Sequence, residues 1–389
     1  MLTICSATEG KGKVLTPNYI NNEIPKRMVE LMGEIEASML RRVAYYISRY
    51  NRVTGTAEFL SLKQTQYNLL YDDLIKIISE YSGLAEREIR AIYEQSAVKS
   101  IDYDNRIISA ARGANYALPA ASTATAAAMQ QTLEAAIVRA IDIQNLTNTR
   151  CLQSALDAFT RATDRAYLSI ATGADTFDNA YKQAVDELAK SGLTVAEYNR
   201  NGKTINYSIE AATRRNLITS IGQLTGEIQL QNLAMLGCNL VQTTSHAGAR
   251  PTHAVWQGKV FWVGTQERGY GSLVDDCGYG QPDGIKGVNC YHDFFPYLEG
   301  TPLAFDRDPA KNQLDIDNDE LYELTQKQRY LERKVREAKK EQRVYDGAGM
   351  TTEAQNAARL VRERQAAVRE FLEQHPLLRR DYTRERVAQ

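Results

Sequence analysis

Imidazole and thiol side chains crowd into one short stretch of the chain. Three of the four histidines and three of the five cysteines lie between residues 238 and 292. His246 and His253 sit in SHAGARPTHAVWQGKVF, Cys277 follows Asp275-Asp276, and Cys290 and His292 fall in GVNCYHDFFPY. Soft nitrogen and sulfur donors suit Zn2+, which takes four of them in a closed structural site. Cys277, Cys290 and His292, with either His253 or His246, would supply that number. The spacing is unusual for zinc, because only one residue separates Cys290 from His292 and Cys277 is far from any partner pair. The competing reading is architectural: buried imidazoles hydrogen-bonded to loops, with small thiols filling gaps. The sequence favours architecture, so no cofactor is expected, and a structural Zn2+ is the alternative.

The same residues have a catalytic reading, in which Cys290 is a nucleophile activated by His253. Its supporting cast is missing. No oxyanion site and no signature of a cysteine hydrolase is visible, and neither HExxH nor the zinc-deaminase pattern occurs. Gly269-Tyr270-Gly271 is not followed by the lysine of a phosphate loop. Gly202-Lys203-Thr204 has the right letters, but Glu197 stands where such a loop needs its first glycine. An enzyme is therefore not expected, and no small-molecule substrate. Arg250 and Lys259 could grip a phosphate or a partner's carboxylate. The plainer expectation is that Arg250 ties its loop to Asp275 or Asp276. Trp256 reads as a core anchor.

The elements that must position this cluster are mostly helices. Met28, Leu31, Met32, Ile35, Met39, Val43 and Ile47 make one apolar stripe behind Pro25, which suits a first helical turn. A second helix is expected over about 58–80, ended by Ser82-Gly83, and a third from Leu84. After the alanine-rich entrance ALPAASTATAAA, a long helix runs from Met129 towards Leu168. A shorter one ends at Ser191-Gly192. Asn201-Gly202 between short extended runs predicts a hairpin, since both turn positions need positive φ. Ser208 then caps another helix. From Gly237 the pattern turns to short β runs and dense glycines. A charged helical pair follows, broken at Gly347 and Gly349 and ended by Pro376. From residue 325 onward Lys and Arg number 16 against 10 Asp and Glu, so this pair is expected to be solvated on most faces. Glu332 with Arg336, and Glu337 with Lys340, are its expected helical ion pairs.

The fold expected is α+β and predominantly α-helical: a long-helix N-terminal half, a small β-containing loop-rich module and a C-terminal helical hairpin. The boundaries expected are an irregular lead segment 1–22, a helical domain 23–236 with a hairpin near 197–207, a His/Cys/Gly-rich module 237–303, and the charged hairpin 304–389. Length and composition agree. The chain has 389 residues, 43% hydrophobic and 24% charged, enough to bury a core. Net charge is −1, with no global basic field for nucleic acid. Tyr outnumbers Phe by 22 to 8, which suits half-exposed helix faces and partner surfaces. Five cysteines are too few and too scattered for a disulfide framework. No signal-peptide core and no membrane-spanning run is evident, so no membrane partner is expected.

Four strings carry a resemblance. SHAGARPTHAVWQGKVF and GVNCYHDFFPY, in that order, closely resemble the tailed-phage minor capsid protein 2 family, itself distantly related to Mu F-like head morphogenesis proteins. QRYLERKVREAKKE and TRRNLITSIGQLTGEIQLQNLAMLG are also similar to it. The likeness covers roughly 205–389 well. Its motif positions here are His246, Gly248, Arg250, Pro251, His253 and Trp256, then Gln257, Gly258, Lys259, Asn289, Cys290 and His292. The resemblance implies a structural protein of the virion, assembled in the host bacterial cytoplasm. Its implied partners are the portal and the capsid or scaffold proteins. A DNA-binding packaging or ejection accessory is the alternative, with Arg333, Lys334, Arg336, Lys339 and Lys340 as candidate phosphate contacts.

Overall fold

A computed structural model describes residues 26–49, 56–113, 117–200, 203–264 and 269–387. The lead segment 1–22, Cys5, Pro25, Gly55 and the Asn201-Gly202 turn lie outside these residues. The described residues are mostly helical, with one small four-stranded sheet, which is the α+β, predominantly α-helical class expected.

Helix α1 (Lys26–Ser48) buries the stripe read from the sequence: Met28, Met32, Ile35, Met39, Val43 and Ile47. Helix α2 (Thr56–Arg112) is continuous, so the break expected at Ser82-Gly83 does not occur. Ser82 Oγ donates back to the Ile78 carbonyl at 2.7 Å, and position 83 faces open space. A glycine inside a helix costs only about 1 kcal/mol, and the buried Leu74 before it and Ile89 after it outweigh that. Helix α3 (Thr123–Ala171) starts at the capping Ser122, whose Oγ accepts from the Thr125 N–H at 3.1 Å. Helix α4 (Phe177–Ser191) is stopped by Gly192 at φ +62°, as expected. Strands β1 (Ala196–Arg200) and β2 (Lys203–Tyr207) pair antiparallel with Arg200 opposite Lys203, the register a two-residue turn imposes. Ser208 caps α5 (Ile209–Leu236) by accepting from the Ala211 N–H.

The module after α5 is built on β3 (Leu240–Thr243), α6 (Pro251–Ala254), β4 (Val260–Trp262), β5 (Gly271–Ser272) and β6 (Phe294–Pro296). The sheet order is β5-β4-β3-β6. Strand β3 is central and antiparallel to both β4 and β6, while β4 and β5 run parallel. Helices α7 (Pro309–Leu314), α8 (Asn318–Gly347), α9 (Thr351–Gln374) and α10 (Tyr382–Glu385) follow.

The described chain forms two compact units, each drawn from separated segments. One contains Arg87–Asp142 and Arg214–Gln326; the other contains Met28–Glu86, Ile143–Thr213 and Lys327–Gln389. The first has the sheet and a core in which Ile108, Leu233, Val241, Trp256, Phe261, Leu273 and Phe294 meet.

In the second unit, α8 departs from the solvated helix expected. Glu332 and Val335 are fully buried, and Ala338 and Val344 nearly so. Nor do the expected helical pairs form. Glu332 binds Arg384 at 3.2 Å and accepts from the Asp381 N–H. Glu337 takes Arg333 and Lys334, while Arg336 and Lys340 reach Glu210. The physical reason is reach: long Lys and Arg stems bury their methylenes and carry charge to carboxylates on other segments. Composition cannot reveal those partners.

Candidate functional site

The sheet brings the separated motif strings together. Every residue of β3 is buried, although Gln242 and Thr243 are polar, and Thr244 beyond it is buried too. Buried polar groups must find partners, and these do so by stitching loops. The Gln242 side chain donates to the carbonyls of Gly258 at 3.0 Å and Phe305 at 2.9 Å, and it accepts from the N–H groups of Ala304 and Phe305. Thr243 Oγ1 donates to the Trp256 carbonyl at 2.9 Å. Thr244 Oγ1 accepts from the Asp293 N–H at 2.8 Å.

On this frame His253, Cys290 and His292 meet. All three are buried, and one ligand atom from each lies within 4.8 Å of the others. His253 comes from α6, which Pro251 opens at its first turn. Cys290 and His292 come from the segment entering β6. His253 Nε2 is 2.8 Å from the Asp283 carbonyl, and its Nδ1 is 3.7 Å from Cys290 Sγ. His292 Nε2 is 3.2 Å from Gln257 Oε1. The same Gln257 oxygen accepts from the His246 backbone N–H at 3.2 Å. His246 stacks on His292, ring centroids 4.5 Å apart, and Trp256 packs edge-on against His292 at 4.6 Å. Burial lowers the pKa of His253, and it lowers that of His292 further, with the His246, His253 and Arg250 charges adding to it. Both rings are neutral near pH 7. Burial pushes the Cys290 thiol up, so the nucleophile–base pair considered from sequence is in contact but is a buried, protonated thiol beside a neutral ring.

The remaining sequence candidates fall around this centre. Cys277 is buried in the same apolar core but does not join the three-residue group. The four ligands expected are therefore not gathered as one group, although Cys277 is near enough for the Cys290 charge to raise its thiol pKa further. Arg250 does not reach Asp275 or Asp276. Its guanidinium donates to the Val288 carbonyl at 3.5 Å, while Asp276 accepts from the Ser272 N–H. Gly248, at φ +69°, lets its loop lie on Leu321, and Asn318 holds Ala249 through two hydrogen bonds. Trp256 is the core anchor expected, 5% exposed. Lys259 is exposed, and Asn289 adopts a left-handed φ of +53°.

Gly258 has φ +66°, and a Cβ there would collide with the Asp306 carbonyl and stand 2.9 Å from Arg307 Cα. Gly258→Ala is expected to cost about 2–3 kcal/mol through clash and left-handed strain. A lowered urea midpoint would show it, and an unchanged midpoint would mean that the 305–307 segment moves freely.

Sequence reading missed a second buried network. Lys286 pairs with Asp293 at 2.5 Å, with side chains 3% and 5% exposed. Lys286 Nζ also donates to Thr225 Oγ1 and Gln229 Oε1. Position 286 has φ +61°, inside an irregular glycine-rich loop where no periodicity marks a core residue. Gly222 and Gly226 on α5 were the available signal, because their missing side chains let Lys286 and Tyr279 come close.

Asp104, fully buried, stands near this network. Burial holds its carboxyl well above the usual carboxylate range, and the Asp293 charge adds to that. A carboxyl with a raised folded-state pKa holds its proton more tightly than in the unfolded chain. Stability therefore falls as pH rises from the unfolded value, about 3.9, towards the folded one. Asp104→Asn removes that penalty. Its stability at pH 7 is expected to match or exceed the parent's, with a flatter dependence between pH 4 and 7. Denaturant midpoints at both pH values check this.

Of the five basic candidates on α8, Lys340 is turned inward, 14% exposed, against Glu36 and Glu210. Arg336 and Lys339 donate to the carbonyls of Arg384 and Glu385. Arg333 and Lys334 pair with Glu337 and lie beside the exposed Tyr330 ring.

A helical protein with a hydrogen-bond-stitched, loop-rich module matches one class of phage structural proteins in sequence. The chain belongs to the phage minor capsid protein 2 family, whose sequence profile matches residues 15–373. It is 30% identical to a structural protein of Lactococcus phage LL-H over 250 residues, 62% of this chain and 65% of that relative. It is 33% identical over 118 residues to a structural protein of Lactococcus phage mv4, covering 30% of this chain and 90% of that relative. The match thus spans just under two thirds of the LL-H protein. No solved structure matches. Among the described residues no helix is long and apolar enough to cross a membrane.

Proposed function

We propose that the protein is a virion component that joins the portal and the capsid or scaffold proteins during head assembly in the bacterial cytoplasm, acting by docking and holding, without turnover. The observation that carries this reading is the family match over residues 15–373. Two features support it. Leu60, Tyr71 and Ile75 share one face of α2 by helical spacing and are 57%, 42% and 36% exposed, an apolar face suited to a protein partner. The module's polar chemistry is spent inward, with Gln242, Thr244, Gln257 and Asp293 all bonded to backbone or to one another.

Co-expression with a portal protein of the same phage tests the proposal. Retention on a tagged portal ring, and presence in purified heads, is expected. Absence from both procapsids and mature heads would overturn the reading. Contact with packaged DNA has one observation in its favour, the ring of Lys327, Arg333 and Lys334 around Tyr330. A duplex affinity that falls steeply with salt, and less steeply after Arg333→Gln and Lys334→Gln, would establish it.

A further inference from the structure

We propose that His253, Cys290 and His292 form a binding site for a thiophilic divalent cation such as Zn2+, held by one nitrogen of each ring and the Cys290 sulfur. The tautomers carry the argument. Gln257 Oε1 accepts from the His246 backbone N–H, which fixes the amide with its oxygen towards His292. His292 Nε2 must then be the protonated nitrogen, donating to that oxygen at 3.2 Å. Its Nδ1 is left with a lone pair, buried and with no hydrogen-bond partner. His253 behaves in the same way. Its Nε2 faces the Asp283 carbonyl at 2.8 Å, so it carries the hydrogen, and the lone pair of Nδ1 points at Cys290 Sγ, 3.7 Å away. Two imidazoles are thus oriented by carbonyl oxygens on their far sides, the usual arrangement of histidines that ligate a metal. One ring nitrogen from each histidine and the Cys290 sulfur lie within 4.8 Å of one another in a buried spot.

A ring nitrogen with a lone pair and no partner, in a residue 4% exposed, is costly to bury unless something takes it up. Two neutral nitrogens and a sulfur are a donor set for Zn2+ rather than for Mg2+ or Ca2+, which demand oxygen. On binding, the S–H bond of Cys290 breaks, a metal–sulfur bond forms and the proton leaves to solvent, one per cation. Because the site is enclosed, the cation enters as the module folds. It would clip α6 to the segment leading into β6 across a loop of more than thirty residues, an architectural use of a metal that stands independently of any docking role.

The test uses the full-length protein, refolded from chelator with Co2+ as the probe. The expected result is one equivalent bound, with a thiolate-to-cobalt charge-transfer band and strong visible ligand-field bands, all lost on adding Zn2+. Cys290→Ser should abolish the charge-transfer band, and Cys277→Ser should keep it. Gln257→Ala should weaken binding about 10–100-fold by freeing the His292 ring. Should Cys290→Ser not fold, the wild-type protein decides: Zn2+ should protect Cys290, but not Cys151 or Cys238, from alkylation in mild denaturant, mapped by peptide mass. No charge-transfer band, a band that survives Cys290→Ser, or no selective protection of Cys290 would each overturn the site.

Discussion

Lys340→Ala is expected to destabilise the protein by about 3–5 kcal/mol, the range for breaking a buried ion cluster on one side. Lys340 Nζ lies 2.5 Å from Glu36 and 2.9 Å from Glu210, whose side chains are 2% and 6% exposed. Arg336 adds a second cation 3.6 Å from Glu210, so two carboxylates face two cations. Removing Lys340 leaves one buried negative charge uncompensated. Burial alone would lower the Lys340 pKa, but Glu36 and Glu210 outweigh it, and the net shift is upward. A raised folded-state pKa means the contribution is complete below the unfolded value, about 10.4, and is lost only as pH climbs through the folded one. The deficit of Lys340→Ala is therefore expected to be constant from pH 6 to 8. The triple change Glu36→Gln, Glu210→Gln, Lys340→Met should recover most of the loss, because a buried ion cluster replaced as a whole is often neutral. Urea unfolding of the two variants beside the parent checks both. A single-site loss under about 1 kcal/mol would mean that water reaches the cluster.

Gln242→Leu should cost a similar amount, about 3–5 kcal/mol, through a different route. Leucine matches the volume but strands the Gly258 and Phe305 carbonyls and two N–H groups that Gln242 serves. Each buried unsatisfied group costs about 1–3 kcal/mol, and partial solvent access at 304–305 reduces the sum. Hydrogen exchange gives the local readout: the amides of Ala304 and Phe305 should lose protection while those of β1 and β2 keep it. Gln242→Glu is informative too, since it keeps the acceptor but loses the donor to both carbonyls.

Helix α1 was legible because its apolar residues recur at 3.6 spacing with nothing to interrupt them. The α4 stop and the β1–β2 register were legible because glycine and Asn-Gly act locally. Gly83 misled, since its punctuation was overridden by packing along α2 that no local rule contains. Helix α8 misled in the opposite sense. Its charges read as solvent-facing, yet Glu332 and Lys340 find their partners roughly 50 and 300 residues away. The short β runs after Gly237 were legible, but not that β3 would be buried along its whole length, because polar letters in a β run are ordinarily assigned to water. The His/Cys stretch was visible as a crowding of residue types. Which members meet was not, since pairing β3 with both β4 and β6 is what draws Cys290 and His292 to His253.

The cluster around Lys340 also sets a timetable. A ribosome releases Glu36 and Glu210 long before it reaches codon 340. Until then Glu36 has the Leu193 N–H as a partner, at 3.2 Å, but neither carboxylate meets the Lys340 ammonium. The cluster therefore closes only once α8 has emerged, and a fragment that stops before α8 lacks the ammonium that seals it.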